Sequence, residues 1–155
     1  MIRYELAQLN IAQLLAPIDS PQLQDFVANL ERINQLAEQS PGFIWRLQDE
    51  AGDATSFTHF GAETIANMSV WRDRDALFEF VYRTAHVHIL RHKRKWFEPL
   101  DRQHMVLWWV PEGHQPTLQE ADQRLQLLQT LGPTADAFTF KAHFPAPTTA
   151  LSCTP

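Results

Sequence analysis

The sequence predicts an α+β fold in which helices cover a mainly antiparallel sheet. Three observations point to it. Segments with strand patterning and amphipathic helical stretches follow one another as β, α, β, β, α, β, and a further helix and strand come after them. One segment, M-V-L-W-W-V at Met105–Val110, is apolar without alternation, as in a strand covered on both faces. The chain has 155 residues, 45% of them hydrophobic and 20% charged, which suits one domain with a substantial core. Residues 1–144 are expected to form that domain and residues 145–155 a flexible C-terminal tail.

Each element has its own warrant. From Tyr4 to Ile11 (Y-E-L-A-Q-L-N-I) the apolar positions alternate with one face interrupted, which predicts a first strand. Ser20 is placed to cap a helix with Pro21 in its first position, where a missing N–H does no harm. Leu23, Phe26, Val27, Leu30, Ile33 and Ala37 then recur at helical spacing. Ser40-Pro41-Gly42 ends that helix, and Phe43, Trp45 and Leu47 share one side of a second strand. Residues 49–60 are small and polar, so a long loop is expected.

The third strand covers Ala66–Trp71, with Asn67, Ser69 and Trp71 facing one way and Met68 and Val70 the other. Asp73 caps the next helix and Asp75 favours the positive end of its dipole. That helix buries Ala76, Leu77, Phe80 and Val81, breaks near Arg83-Thr84, and passes its apolar stripe on to Ile89, Leu90, Trp96 and Phe97. After the central strand at Met105–Val110, Thr117-Leu118-Gln119-Glu120 has the pattern of a capping box for a helix ending before Gly132-Pro133. Phe138, Phe140, Ala142 and Phe144 alternate in a predicted last strand. The element order is that of a ferredoxin-like βαββαβ sandwich with an added C-terminal helix and strand.

Helices on one side leave the other sheet face to be covered. Ten Phe and five Trp are too many to face water, so a second copy of the chain, packed sheet to sheet, or a bound apolar molecule is expected. The formal charge of −5 argues against non-specific nucleic-acid binding, which needs a basic face. The single Cys, Cys153, allows neither an intrachain disulfide nor a thiolate metal site. No apolar run approaches the roughly 18 residues of a membrane span, and M-I-R-Y-E-L lacks a leader pattern, so a cytoplasmic protein without membrane contact is expected.

The chemistry-bearing residues gather around Met68–Phe97. His88 and His92, four apart, could chelate a divalent ion with Glu79 or His104, but no H-E-x-x-H is present and no metal is assigned. Asp49, Glu50 and Asp53 do not fit a calcium loop either, since the Gly comes too early and no Glu closes it. Arg91, Lys93, Arg94 and Lys95 read as a solvated helix end. No nucleophile elbow, phosphate loop or dinucleotide fingerprint occurs. His86, beside Tyr82 and near Phe80, is the residue best suited to hold or move a proton for a phenol-like or enol-like substrate, set against the ordinary role of bonding a backbone carbonyl. Trp45, Trp71, Phe80 and Trp108 could stack on a flat ligand or simply pack.

S-V-W-R-D-R-D-A-L-F-E-F-V resembles the dimeric α/β-barrel superfamily of antibiotic-biosynthesis monooxygenases and haem-degrading oxygenases. Over roughly residues 3–143 the chain is similar to a bacterial family called domain of unknown function 3291. That similarity is carried by Y-E-L-A-Q-L-N, S-P-G-F-I-W-R-L-Q-D-E at Ser40–Glu50, F-V-Y-R-T-A-H at Phe80–His86, K-W-F-E-P at Lys95–Pro99 and L-W-W-V-P at Leu107–Pro111. The resemblance implies a dimeric α/β barrel. Haem-degrading members carry an Asn on the first strand, matched here by Asn10, a Trp in the helix, replaced here by Phe80, and an axial His, replaced by about Leu90 with His86, His88 and His92 near it.

Three readings stay open. In the first, a homodimer binds a small apolar or aromatic molecule without a cofactor and acts as a monooxygenase-like or proton-transfer enzyme. Its catalytic residues would be Asn10, Tyr82 and His86, and Trp71, Phe80, Trp45 and Trp108 would line the ligand. In the second, haem binds through a neighbouring histidine. In the third, the dimer is a non-catalytic accessory protein and every aromatic is packing.

Overall fold

A computed structural model describes residues 2–48, 64–85, 93–98 and 103–147. Its centre is β1 (Tyr4–Leu14), which pairs with three other strands, β3, β4 and β5. On one edge runs β3 (Thr64–Trp71), antiparallel, with Leu6 opposite Trp71, Gln8 opposite Ser69 and Asn10 opposite Asn67. On the other edge β5 (Met105–Pro111) lies beside Tyr4–Asn10, and the two-residue β4 (Phe97–Glu98) lies beside Gln13 and Leu14. β2 (Phe43–Arg46) extends the sheet beyond β3, with a register shift between Phe43 and Trp45. The order β2-β3-β1-β5 with antiparallel pairs is that of the βαββαβ sandwich, and the protein has an α+β fold.

The two faces of β1 separate by parity, since successive side chains of a strand point to opposite sides. Ala7, Leu9 and Ile11 join Ala66, Met68, Val70, Val106, Trp108 and Val110 in one core. Onto it packs α4 (Leu118–Leu131) through Ala121, Leu125 and Leu128. The sequence left this face for a second subunit; in the structure the chain covers it itself, which removes the reason for a sheet-to-sheet dimer. The capping box at the start of α4 forms by half. Thr117 Oγ1 accepts from Glu120 N at 3.1 Å, but the Glu120 carboxylate turns instead to Trp108 Nε1 at 2.9 Å and His114 Nε2 at 2.7 Å. That clasp ties the β5–α4 turn to the middle of the sheet.

The opposite face carries α1 (Gln24–Gln39) and α2 (Arg74–Glu79), the latter running on as a π-helical turn from Phe80 to Ala85. Pro21 opens a short 3-10 turn before α1, as its fixed backbone angle favours. Ser20, expected as a cap, makes no cap bond and its buried Oγ has no partner. Val27, expected inside, is exposed. At the end of α1, Gly42 adopts φ +85°, and a Cβ there would stand 2.5 Å from Ala76 Cβ. Only glycine lets the α1–β2 turn tuck under α2, where Gly42 O accepts from Arg72 N at 2.7 Å. Asp73 caps α2 as expected, its Oδ1 accepting from Ala76 N at 2.9 Å. The predicted break near Arg83 takes the form of the wider π turn, which starts at Phe80.

Two further corrections concern the ends. The last strand contracts to one bridge, in which Leu107 and Phe138 exchange both backbone hydrogen bonds at 2.8 and 2.9 Å. Beyond it residues 139–147 cross as a strap, with Phe140 against Phe78 and Tyr82 and with Trp109 Nε1 donating to Phe144 O at 2.9 Å. The short helix α3 (Lys93–Trp96) delivers Trp96 into a third cluster with Leu14, Leu23, Phe26 and Ile33. Among the described residues no helix is long and apolar enough to cross a membrane.

Candidate functional site

On the α1/α2 side, β1 presents Leu6, Gln8, Asn10, Ala12 and Leu14. The ends of this row are apolar: Leu6 packs with Trp71, Leu77 and Leu107, and Leu14 with Phe26 and Ile33. The middle is polar. Gln8 and Asn10 stand opposite Ser69 and Asn67 of β3, so strand parity alone assembles two primary amides, a third on Gln8 and a hydroxyl on one patch of sheet. A further amide, Asn34, is only 6% exposed and lies on the stripe of α1 that also carries Leu30 and Ala37. Those two residues pack against the apolar ends of the patch.

The patch is wired by short bonds. Gln8 Nε2 donates to Asn67 Oδ1 at 2.8 Å and to Ser69 Oγ at 2.9 Å. Trp71 Nε1 donates to the same Ser69 Oγ at 2.8 Å. Gln8, Ser69 and Trp71 are buried, Asn10 is half-buried and Asn67 is exposed, so the network runs from the interior to the surface at Asn67. One member is left over. Asn10 Oδ1 is buried without a hydrogen-bond partner, and an acceptor desolvated in this way costs about 1–3 kcal/mol.

None of these side chains titrates. They can orient a neutral molecule by its oxygen and nitrogen atoms, and their N–H groups can stabilise negative charge developing on a carbonyl or phenol oxygen. Amides cannot take a proton, so a proton carrier has to come from elsewhere. His86, the residue assigned that task from the sequence, lies outside the described residues, as do His88, Leu90 and His92, on which the haem reading rests.

The remaining expected site residues are dispersed. Trp71 belongs to the patch, but it is 0% exposed. Its ring stacks on Phe80 at 5.1 Å and meets Phe43 edge-on at 5.4 Å, so it backs the site and anchors Ser69. Phe80 is half-buried on the inner side of α2. Tyr82 is 49% exposed, its ring tilted against Phe78 at 4.5 Å, and is not brought to Asn10. Trp45 and Trp108 sit under α4, across the sheet from Trp71, so the four aromatics form no common wall. The reason is register: opposite faces are one residue apart along a strand, and the turns between strands decide which residue faces where.

Gln8 and Asn34 were missed in the sequence. The available signals were the interrupted face of the first strand and one amide inside the apolar stripe of α1. A further cleft of about 460 Å³ lies between α2 and the turn after α1, lined by Ser40, Pro41, Arg72, Ala76, Phe80 and Thr84 among others. Its rim charges are paired, Arg72 with Asp73 at 3.1 Å and Arg83 with Glu79 at 3.0 Å. No cluster of three or more potential metal ligands occurs among the described residues.

A profile of the family described as Domain of unknown function (DUF3291) matches residues 5–153. No curated protein matches the chain. Among solved structures, the crystal structure of SnoaB, a cofactor-independent oxygenase from Streptomyces nogalater, aligns with a TM-score of 0.42 at 15% identity, covering 74% of this chain and 96% of that one.

Proposed function

The chain belongs to the DUF3291 family, and we propose that it binds a small, flat, largely apolar molecule through that molecule's oxygen substituents, at the amide patch between β1, β3 and α1. The observation that carries the reading is the unpartnered Asn10 Oδ1. Packing gains nothing from a buried acceptor without a donor, whereas a bound hydroxyl would supply one. Phe80 and the apolar ends of the patch, Leu6 and Leu14, suit the ring of such a ligand.

In this reading the bound molecule reacts without a resident cofactor, by proton transfer or by reaction of its own enolate or phenolate with dioxygen, which is the oxidant and leaves one oxygen atom on the molecule and the other in water. Asn67 and Asn10 hold the oxygen substituents, and amide N–H groups stabilise the oxyanion as it forms. His86 carries the proton. The homodimer expected from the sequence forms on a surface other than the second sheet face, because α4 already occupies that face.

Titration of the protein with 1-naphthol and with naphthalene, followed by tryptophan fluorescence, tests the binding. The hydroxylated ring is expected to bind about fivefold or more tightly than naphthalene, the value of one recovered hydrogen bond. Asn10→Leu should bring the two affinities together. Equal affinities in the wild-type protein, or no binding of either ring, would remove the reading. Native mass spectrometry of the purified protein reports the dimer mass and any retained ligand in one measurement.

A further inference from the structure

We infer that Gln8, which points no group at the ligand in this scheme, sets which polarity the site shows. It is a positioning residue that acts through Asn67, and the inference rests on the binding reading above only for its consequence, not for its geometry. An Asn side chain offers an oxygen acceptor at one end and an N–H donor pair at the other. Rotation of the amide by half a turn exchanges the two, so a neighbour must decide the orientation. Gln8 Nε2 does so by donating to Asn67 Oδ1 at 2.8 Å.

The choice made by Gln8 is itself set by its other partners. Its second Nε2 hydrogen goes to Ser69 Oγ at 2.9 Å, and the same oxygen accepts from Trp71 Nε1 at 2.8 Å. An indole N–H can only donate, so Trp71 fixes Ser69 Oγ as an acceptor on that side. Trp71 in turn is immobilised by Phe43 and Phe80. A hydroxyl that accepts from Trp71 still has its own O–H to donate, so the Gln8 orientation is set by the Asn67 backbone oxygen, which lies 3.5 Å from Gln8 Nε2 and can only accept. Asn67 is exposed, and with its Oδ1 held by Gln8 its Nδ2 donors are the end left for a ligand. Beside it, directly across the strand pair, Asn10 holds its bare Oδ1. Directly paired residues have Cβ atoms about 4.5–5.5 Å apart, so donor and acceptor are spaced to meet adjacent acceptor and donor groups on one edge of a ligand. The recognised class is a molecule carrying a carbonyl and a hydroxyl, or an equivalent acceptor and donor, side by side.

Side-chain amide NMR tests the orientation without any ligand. In the wild-type protein the Gln8 Nε2 protons should exchange slowly with solvent, because both are donated inside, and the Asn67 Nδ2 protons rapidly. The reverse pattern overturns the inference whether or not any ring compound binds. The consequence is then read with two probes, 1-tetralone, which only accepts, and 1-naphthol, which donates. Gln8→Glu places acceptors where the Nε2 donors were, so Asn67 should turn over, and the ratio of 1-tetralone to 1-naphthol affinity should fall by about fivefold or more. Gln8→Met, which frees Asn67 without burying a carboxyl, should lower the ratio by a smaller factor; it carries the test if the Glu variant fails to fold. Asn67→Ala combined with Gln8→Met should change the ratio no more than Asn67→Ala alone. A ratio unchanged in folded Gln8 variants, or additive effects in the double variant, would overturn the positioning role. Failure of every probe to bind, with the exchange pattern as expected, would instead remove the binding reading and leave the orientation standing.

Discussion

The two faces of the sheet are built from the same three strands and follow different rules. Under α4, every inward position of β1, β3 and β5 is apolar and dry, from Ala7 and Leu9 to Met68, Val70, Val106 and Trp108. The buried indole nitrogen there, Trp108 Nε1, is answered by Glu120. Under α1 and α2, the centre of the face holds Gln8, Asn10, Asn67 and Ser69, with an acceptor left unanswered. A sandwich of this size does not need a polar patch in its second layer, and the first layer shows that the chain can do without one. Burying amides costs free energy unless every group is bonded. In the proposed reading the face that breaks the packing rule is the one that binds a ligand, and the face that obeys it is scaffold.

The largest effect expected from that contrast lies on the scaffold side. Trp108→Ala removes a fully buried indole and leaves Glu120 without one of its donors. It should cost about 3–5 kcal/mol in urea unfolding, with ring binding in the remaining folded protein unchanged. A cost below about 1 kcal/mol, within the range of an ordinary surface substitution, would show that the α4 face is not the tightly packed layer described.

Asp73→Ala acts at the start of the helix above the polar face and should cost about 1 kcal/mol through loss of the N-cap. Burial pushes the Asp73 carboxyl up, but the Ala76 and Asp75 N–H groups and the Arg72 guanidinium outweigh it and hold the carboxyl below its ordinary value. A carboxylate depressed in the folded state stabilises above its unfolded pKa, and that contribution is lost as the pH falls through the folded value. The difference between wild type and Asp73→Ala should therefore shrink below about pH 4. An unchanged difference at pH 3 would contradict the cap.

The smallest effect concerns the strap at the edge of the polar face. Partial burial of His143 against Phe138 and Trp109, aided by the charge of Arg74 and opposed by Asp75, holds it below the usual histidine value. Its neutral form is the one that packs. Stability from this contact is complete above the unfolded pKa and is lost as the pH falls through that value towards the folded one. Protection of the amides in residues 139–144, relative to the intrinsic exchange rate at each pH, should fall between about pH 7 and 5. His143→Phe should remove that pH dependence, and a dependence that survives the substitution would assign it to another group.

Much of the scaffold was legible because it rests on local rules. Strand periodicity, the Asp73 cap and the Gly42 turn each need only neighbouring residues. The grouping of Asn67 and Ser69 with Trp71 followed from alternation alone. What could not be read was which elements meet. The amphipathic pattern of α4 names an apolar stripe but not the face it covers, so the second sheet face seemed to need a partner. Trp45 and Trp108 were grouped with Trp71 because aromatic content carries no parity across a turn. In the last segment, Phe138, Phe140 and Phe144 alternate as in a strand, yet their rings are taken up by α2 and Trp109, and only Phe138 keeps a ladder bond. Gln8 appeared as an interruption of β1 and Asn34 as a flaw in the stripe of α1. Each becomes informative only once the register sets four polar groups side by side.

The central claim, that the polar patch is kept for a ligand and not for the fold, is tested most directly by Asn10→Leu measured for stability and binding together. Removing the unanswered acceptor should leave thermal stability unchanged or raise it by about 1 kcal/mol, while the preference for 1-naphthol over naphthalene disappears. A variant that loses 2 kcal/mol or more, well beyond an ordinary surface substitution, and keeps its preference would show that Asn10 serves the fold, and would contradict the account.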